Sequence, residues 1–134
     1  MKKILVVLSR YNETSYLLKS AKTVLNKKKV KWSIIKVNGA FEIPVIISRN
    51  IKKYDAFVAL GIIIKGQTPN FNFISQAITN GMINLAILSK KPIGNGILTC
   101  LNYKQAKKRY KKGADAVNAV LDVLNPVNKW KNQL

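Results

Sequence analysis

The chain has 134 residues, of which 48% are hydrophobic and 22% charged, a balance that predicts one globular domain over residues 1–134. It holds a single cysteine and no histidine, which excludes an intrachain disulfide, the usual zinc and iron sites, and catalysis by a histidine base. Its 24 Lys and Arg residues against 5 Asp and Glu give a net charge of +19, which would attract polyanions or phosphorylated metabolites.

Apolar runs alternate with segments of helical spacing from the start of the chain. Lys3–Leu8 is short and almost wholly apolar, as expected for a strand that is buried on both faces. A helix follows as far as Lys27–Lys29, with Asn12 and Thr14 as candidate cap residues. Trp32–Val37 then predicts a second strand.

The middle of the chain repeats this pattern. Asn38–Glu42 predicts a turn, and Pro44 suits the first turn of a helix that ends near Lys53. Ala56–Ile64 is the most strand-like run in the sequence, and Lys65–Pro69 predicts a loop after it.

The last third holds a long helix, a strand and a pair of helices. Pro92–Leu98 contains the predicted fourth strand, and Tyr103–Lys112 predicts a short basic helix that breaks or kinks at Gly113. The helix continues over Ala114–Leu124, before a polar tail with Trp130. The long helix before the strand is marked by one apolar face, formed by Phe71, Ile74, Ile78, Met82 and Leu85.

Strands that alternate with helices predict an α/β sandwich of three layers around a parallel sheet. Ligands of such folds bind at the carboxyl ends of the strands. The segments that reach this edge are Ser9–Glu13, Asn38–Glu42, Gly61–Asn72 and Thr99–Asn102.

Several residues in these segments have a functional and a structural interpretation. Tyr11 could stack on a planar heterocycle or cover the end of the sheet. Glu42 could bind ligand hydroxyls or oppose the dipole of the following helix. The loop with Gly66 and Thr68 could hold a phosphate, although it matches neither a P-loop nor a dinucleotide motif. Arg109 could bind phosphate or face solvent, whereas Cys100 has no histidine partner and is expected only to pack.

Four motifs occur in order at the ends of successive predicted strands: GAFEIP at Gly39–Pro44, ALG at Ala59–Gly61, GxTP at Gly66–Pro69 and NYKQAKKR at Asn102–Arg109. With these motifs the chain resembles the lumazine synthase family over nearly its whole length. The resemblance implies a flavodoxin-like four-stranded parallel sheet of order 2-1-3-4. It also implies pentamers or sixty-subunit shells with active sites between subunits, and no cofactor.

The resemblance also implies an activity. The family condenses 5-amino-6-ribitylaminouracil with 3,4-dihydroxy-2-butanone 4-phosphate to 6,7-dimethyl-8-ribityllumazine in riboflavin biosynthesis. Riboflavin synthase, which uses this product, is an expected partner.

The roles of site residues are carried over by position. Gln67 and Thr68 would bind the phosphate together with Arg109 of the adjacent subunit, and Lys112 would lie near the ribityl or phosphate end. The residues that would hold the pyrimidine and its ribityl chain are Tyr11, Ala40, Phe41, Glu42, Ile63 and Ile64.

Two positions depart from the family pattern. Asn70 stands where the family has the histidine proposed to transfer protons, and an amide does not exchange protons near pH 7. Asn95 stands where an aromatic residue commonly faces the neighbouring ligand. These departures predict a slowed enzyme, with a non-catalytic oligomeric scaffold or flavin-binding protein as the alternative.

The basic charge favours a solvated surface over a specific nucleic-acid site. The cations are 21 Lys and only 3 Arg, they are dispersed, and no aromatic-rich RNA-binding motif accompanies them. A basic protein associated with nucleic acids stays a third alternative.

The apolar runs are too short to span a bilayer, which takes about 20 residues, and Ser9-Arg10 ends the first run before it is long enough for a signal sequence. We therefore expect a cytoplasmic protein without metal, membrane or specific nucleic-acid partners.

Overall fold

A computed structural model describes residues 2–126, in which the four predicted strands form one parallel sheet. β1 (Lys3–Ser9) and β3 (Ala56–Ile64) lie at the centre, with β2 (Lys31–Val37) and β4 (Ile93–Cys100) at the edges. The order β2-β1-β3-β4 confirms the predicted topology, and it brings all four carboxyl ends to one edge of the sheet. The predicted tail with Trp130 lies outside the described residues.

Helices connect the strands and cover both faces of the sheet. None of those within residues 2–126 is long and apolar enough to cross a membrane. Their bounds are α1 (Ser15–Lys27), a 3-10 turn (Ala40–Glu42), α2 (Ile43–Arg49), α3 (Asn70–Ser89), α4 (Tyr103–Lys108) and α5 (Lys112–Leu124).

The three layers follow from the side chains of β1, which is buried on both faces. Ile4, Val6 and Leu8 pack in one apolar cluster with α1 and α5, whereas Leu5 and Val7 pack in a second cluster with α2 and α3. Successive side chains of a strand point to opposite faces, so a continuous apolar run requires cover on both. The sandwich predicted from this run is confirmed.

The predicted end of α2 near Lys53 is wrong, because the helix ends at Arg49. The side-chain amide of Asn50 donates a hydrogen bond of 2.8 Å to the carbonyl oxygen of Ile46. This bond satisfies one of the carbonyl groups that a helix end leaves without a partner.

The fourth strand runs two residues beyond the predicted Pro92–Leu98 window. Ile64 pairs with Cys100, and the backbone N–H of Lys65 donates a bond of 2.9 Å to the Cys100 carbonyl. Pairing with the long β3 therefore sets the end of β4. Cys100 is 2% exposed, which confirms that it packs.

The break between the last two helices is not at Gly113, as predicted, but at residues 109–111. Gly113 is buried in the first turn of α5, where a Cβ atom would meet the carbonyl oxygen of Leu17 and lie 3.0 Å from the Ser20 hydroxyl. The glycine thus permits a close approach of α5 to α1 and does not break a helix.

Candidate functional site

A cavity of about 550 Å³ opens at the carboxyl edge of the sheet, where the loops after β1, β2 and β3 meet the start of α3. Its walls are mainly apolar, with a few polar groups at one end. It is lined by Tyr11, Asn12, Gly39, Ala40, Phe41, Ile62, Ile63, Ile64, Lys65, Gly66, Thr68, Asn70, Phe71 and Ile74.

The loop after β1 is tied to the sheet by side-chain hydrogen bonds. The Thr14 hydroxyl donates a bond of 2.8 Å to the Ser9 carbonyl, and the Asn12 amide donates one of 2.9 Å to the Ile62 carbonyl. The prediction that Asn12 or Thr14 caps α1 by its side chain is therefore wrong. Asn12 has a φ of 64°, a conformation that asparagine tolerates better than most residues. The tied loop presents Tyr11, which is 69% exposed, at the cavity.

The loop after β2 supplies a second aromatic ring. Ala40 is buried, whereas the next residue, Phe41, is 61% exposed and lines the cavity. Glu42 is exposed beside the cavity, and a Cβ atom at Gly39 would lie 3.1 Å from its Oε1. Two exposed rings above apolar strand ends suit a planar heterocycle, because aromatic faces bury large areas by stacking.

The loop after β3 supplies the polar end of the cavity. Thr68 and Asn70 line it, and the Asn70 N–H donates a bond of 3.4 Å to the Thr68 hydroxyl at the start of α3. The backbone N–H groups at the start of a helix attract anions, so this end suits a phosphate. Gln67 is exposed on the same loop and does not line the cavity.

Three further candidate residues lie elsewhere in the chain. Arg109 and Lys112 line a separate cavity of about 350 Å³ beside β4, together with Thr99 and Asp115. Asn95 is exposed on the same strand, where its side-chain oxygen accepts a bond of 3.1 Å from a backbone N–H. Within one chain, the structure does not bring these three residues to the first cavity. All three lie at or beside β4, an edge strand of the sheet.

Titratable groups are scarce around the first cavity. Among the described residues, its lining holds only Tyr11 and Lys65. Shifted pKa values occur elsewhere: hydrogen bonds from the hydroxyl and N–H of Ser15 lower the pKa of Glu13. Burial, followed by the charges of Glu13 and Tyr16, raises the pKa of Tyr103. Residues 2–126 hold no cluster of three His, Cys, Asp or Glu side chains that could bind a metal ion.

Sequence reasoning missed several residues of the lining. The sequence pattern predicts Asn12 only as a cap, whereas its side-chain amide bonds the Ile62 carbonyl and lines the cavity. The pattern predicts Phe71 on the core face of α3, but Phe71 is half-buried and contacts the cavity. Periodicity could not separate these two outcomes, because the first turn of a helix at a sheet edge can face a site as easily as the core.

Sequence comparisons with known proteins identify one family. The sequence profile described as 6,7-dimethyl-8-ribityllumazine synthase matches residues 1–128. A 6,7-dimethyl-8-ribityllumazine synthase of Corynebacterium kroppenstedtii is 35% identical, over 89% of this chain and 80% of that protein. One of Buchnera aphidicola subsp. Baizongia pistaciae is 39% identical, over 95% of this chain and 88% of that protein. A third, of Thermobifida fusca, is 36% identical, over 78% of this chain and 66% of that protein.

Proposed function

Since the chain belongs to the 6,7-dimethyl-8-ribityllumazine synthase family, we propose that it condenses 5-amino-6-ribitylaminouracil with 3,4-dihydroxy-2-butanone 4-phosphate. The products are 6,7-dimethyl-8-ribityllumazine, phosphate and water. The observation that carries this assignment is the family match over residues 1–128. The cavity supports it, because it joins two exposed aromatic rings to the N-terminus of a long helix.

In this proposal the aromatic end of the cavity holds the pyrimidine. Tyr11 and Phe41 stack on the ring, while the backbone groups of Ile63 and Ile64 contact its edge. Ala40 and Glu42, at the start of the next helix, hold the ribityl hydroxyls. Exposure of both rings in a mainly apolar cleft supports these roles, since a bound ring would bury them.

The polar end of the cavity holds the phosphate. The Thr68 hydroxyl and the N-terminus of α3 supply donors, and Gln67 reaches the same group from its exposed position. Arg109 of an adjacent subunit completes this site, with Lys112 beside it and Asn95 facing the bound ring. The location of all three at an edge of the sheet, outside the first cavity, supports a contribution to a neighbour's site.

Chemistry in such a site depends mainly on holding two reactants together. The amine condenses with the ketone and one water leaves, phosphate is then eliminated, and the second nitrogen attacks the remaining carbonyl carbon and closes the ring with loss of a second water. Well-oriented reactants can gain about 7–11 kcal/mol of the barrier from proximity alone. Acid-base assistance adds about 10²–10⁴-fold, so replacement of a histidine by Asn70 slows this reaction without abolishing it.

The direct test is formation of lumazine by the purified protein, measured above the spontaneous rate at equal substrate concentrations. We expect a rate proportional to protein concentration, and a lower rate for Phe41→Ala as the matched control. Formation no faster than the spontaneous rate would contradict the proposal. The alternative, a scaffold that binds flavin-like ligands without catalysis, is favoured by Asn70 and Asn95. It would bind a ribityl-bearing substrate analogue and still not accelerate the reaction.

We predict that Asn70→His raises kcat about tenfold, because an imidazole beside the reacting carbonyl can transfer protons that an amide cannot. The pH–rate profile should gain a limb near the imidazole pKa of about 6.5, with little change in KM. Asn72→His, two residues further along α3 and about 200° around the helix axis, is an exposed control that does not line the cavity and should change neither quantity. An unchanged profile for Asn70→His would remove Asn70 from the reaction centre.

We also propose that the chain assembles at least as a pentamer. α3 has 20 residues and no charged side chain, although the whole chain carries a charge of +19. Phe73, Ile83, Ile87 and Leu88 of this helix are each more than half exposed in the single chain. An exposed apolar face of this kind is typical of an interface between subunits.

Light scattering at moderate salt should therefore give a mass of at least five subunits. Sixty-subunit shells should become less favourable as the ionic strength falls, because screening of the like charges weakens. Leu88→Lys, which adds a charge to the exposed face of α3, should shift the distribution to smaller species, whereas Asn118→Lys at an exposed position of α5 should not. A stable monomer of the wild-type protein would contradict this proposal. Riboflavin synthase as a partner and the cytoplasmic location stay predictions.

A further inference from the structure

The first cavity lacks a histidine but contains one cationic side chain. Lys65 and Tyr11 are the only titratable residues of its described lining, and Lys65 begins the loop that leads to Asn70 at the start of α3. Amide and aliphatic hydroxyl groups, such as those of Asn70 and Thr68, donate hydrogen bonds but do not give up a proton near pH 7. Among the side chains of the described lining, only Lys65 and Tyr11 can therefore supply a proton, and Tyr11 is the residue placed on the face of the pyrimidine.

The alternation of side chains along β3 places Lys65 on the face of the sheet that also carries part of the cavity wall. Ile62 and Ile64 pack in one apolar cluster, whereas Ile63 packs in the cluster that contains Ala40 and Ile74 of the cavity wall. The N–H of Lys65 continues the ladder to Cys100, so the alternation of side chains extends to this residue. Lys65 is thus on the same face as Ile63, and it is exposed at the cavity.

We propose that Lys65 is the proton donor of the condensation that this chain catalyses, an inference that rests on the proposed function. In the step concerned, the substrate amine has added to the ketone carbon. The C–OH bond breaks, and the hydroxyl leaves as water with a proton from the Lys65 Nζ. The lone pair of the nitrogen forms the C=N bond, and the neutral Lys65 amine then recovers a proton from that nitrogen.

A role in phosphate binding is the competing explanation, because Lys65 precedes the Thr68 loop. Arginine in place of Lys65 could still bind phosphate, but it could not serve as the proton donor. A guanidinium binds phosphate at least as well as an ammonium does, but it does not release its proton. Lys65→Arg therefore separates charge from proton transfer, and Lys65→Gln removes both.

We expect Lys65→Gln to lower kcat about 100-fold, within the usual range for acid-base assistance, with the KM of the butanone phosphate nearly unchanged. Lys65→Arg should not restore kcat, because the guanidinium keeps the positive charge but does not release a proton. Asn70→His in the Lys65→Gln background should recover part of kcat. Lys36→Gln, an equal change of charge at an exposed position of β2, should behave like the wild type.

Restored kcat in Lys65→Arg, or an effect of Lys65→Gln on KM alone, would assign Lys65 to phosphate binding and overturn the proposal. The proposal would also be overturned if the Lys65 variants had the same kcat and KM as Lys36→Gln. A wild type without activity would overturn the proposed function itself, and this inference with it. Circular dichroism and light scattering on each variant show that fold and assembly are retained.

Discussion

Subunits that carry Arg109→Met and subunits that carry the pair Phe41→Ala and Glu42→Gln should each be nearly inactive, yet regain activity when assembled together. In a single chain, Arg109 lines a different cavity from the one that contains Phe41 and Thr68. If the adjacent subunit supplies Arg109, each site needs one intact contribution from either side. We expect a loss of about 100-fold or more in kcat/KM for Arg109→Met, because hydrogen bonds between charged groups are the strong ones in such sites.

Random assembly of equal amounts of the two kinds of subunit leaves about a quarter of the sites with both contributions intact. Co-refolded mixtures should therefore recover about a quarter of the wild-type activity. The matched control mixes the Phe41 and Glu42 variant with Tyr11→Ala, which disables the same side of the site and should give no recovery. Recovery equal to the control, or full activity of Arg109→Met alone, would place Arg109 outside the shared site.

Gly94→Val should cost about 3 kcal/mol of the free energy of unfolding, the upper end of the usual cost of overpacking. Gly94 lies on β4 directly beneath α5, where a Cβ atom would meet the carbonyl oxygen of Ala116 and lie 2.9 Å from Val120 Cγ2. Because α5 is held on its other side by α1 at Gly113, it cannot move away freely.

Urea unfolding at a fixed protein concentration measures this loss, since the stability of an oligomer depends on concentration. Gly81→Ala is the control with the opposite sign. Its Cβ atom would lie 3.6 Å from Pro44, an ordinary contact, and replacing a glycine within a helix stabilises by about 0.5–1 kcal/mol. Equal midpoints for the two variants would show that α5 adjusts to a side chain at position 94.

The sequence predicted the architecture well because its signals are strong where the core is. Ala56–Ile64 is an unbroken apolar run, and β3 has those bounds. The sequence predicted the role of a residue poorly where that role depends on a contact with a residue far away in the chain. Gly113 looks like a helix breaker in the sequence, and only its contact with α1 explains why it is glycine.

Part of the candidate site could be predicted from the sequence for a similar reason. Residues that follow parallel strands meet at one edge of the sheet, so the strand pattern alone groups Tyr11, Phe41 and Thr68. The hydrogen bond that ties Asn12 to β3 could not be predicted, because it depends on a backbone conformation with positive φ. Local sequence patterns do not indicate the separate location of Arg109, and only the family resemblance implies that it serves the site of an adjacent subunit.

Helix α3 differs from the other helices of residues 2–126 because it contains no charged residue. With 24 Lys and Arg among 134 residues, a segment of 20 would hold about four, but α3 holds none. Several side chains of α3 are as exposed in the single chain as the lysines of α1. If subunits meet at this face, as proposed, a lysine there would lose its hydration on assembly, which costs free energy unless the charge is paired. The absence of lysine then marks the surface that the proposed assembly would bury, and the lysine-bearing helices mark the surface that would stay in water.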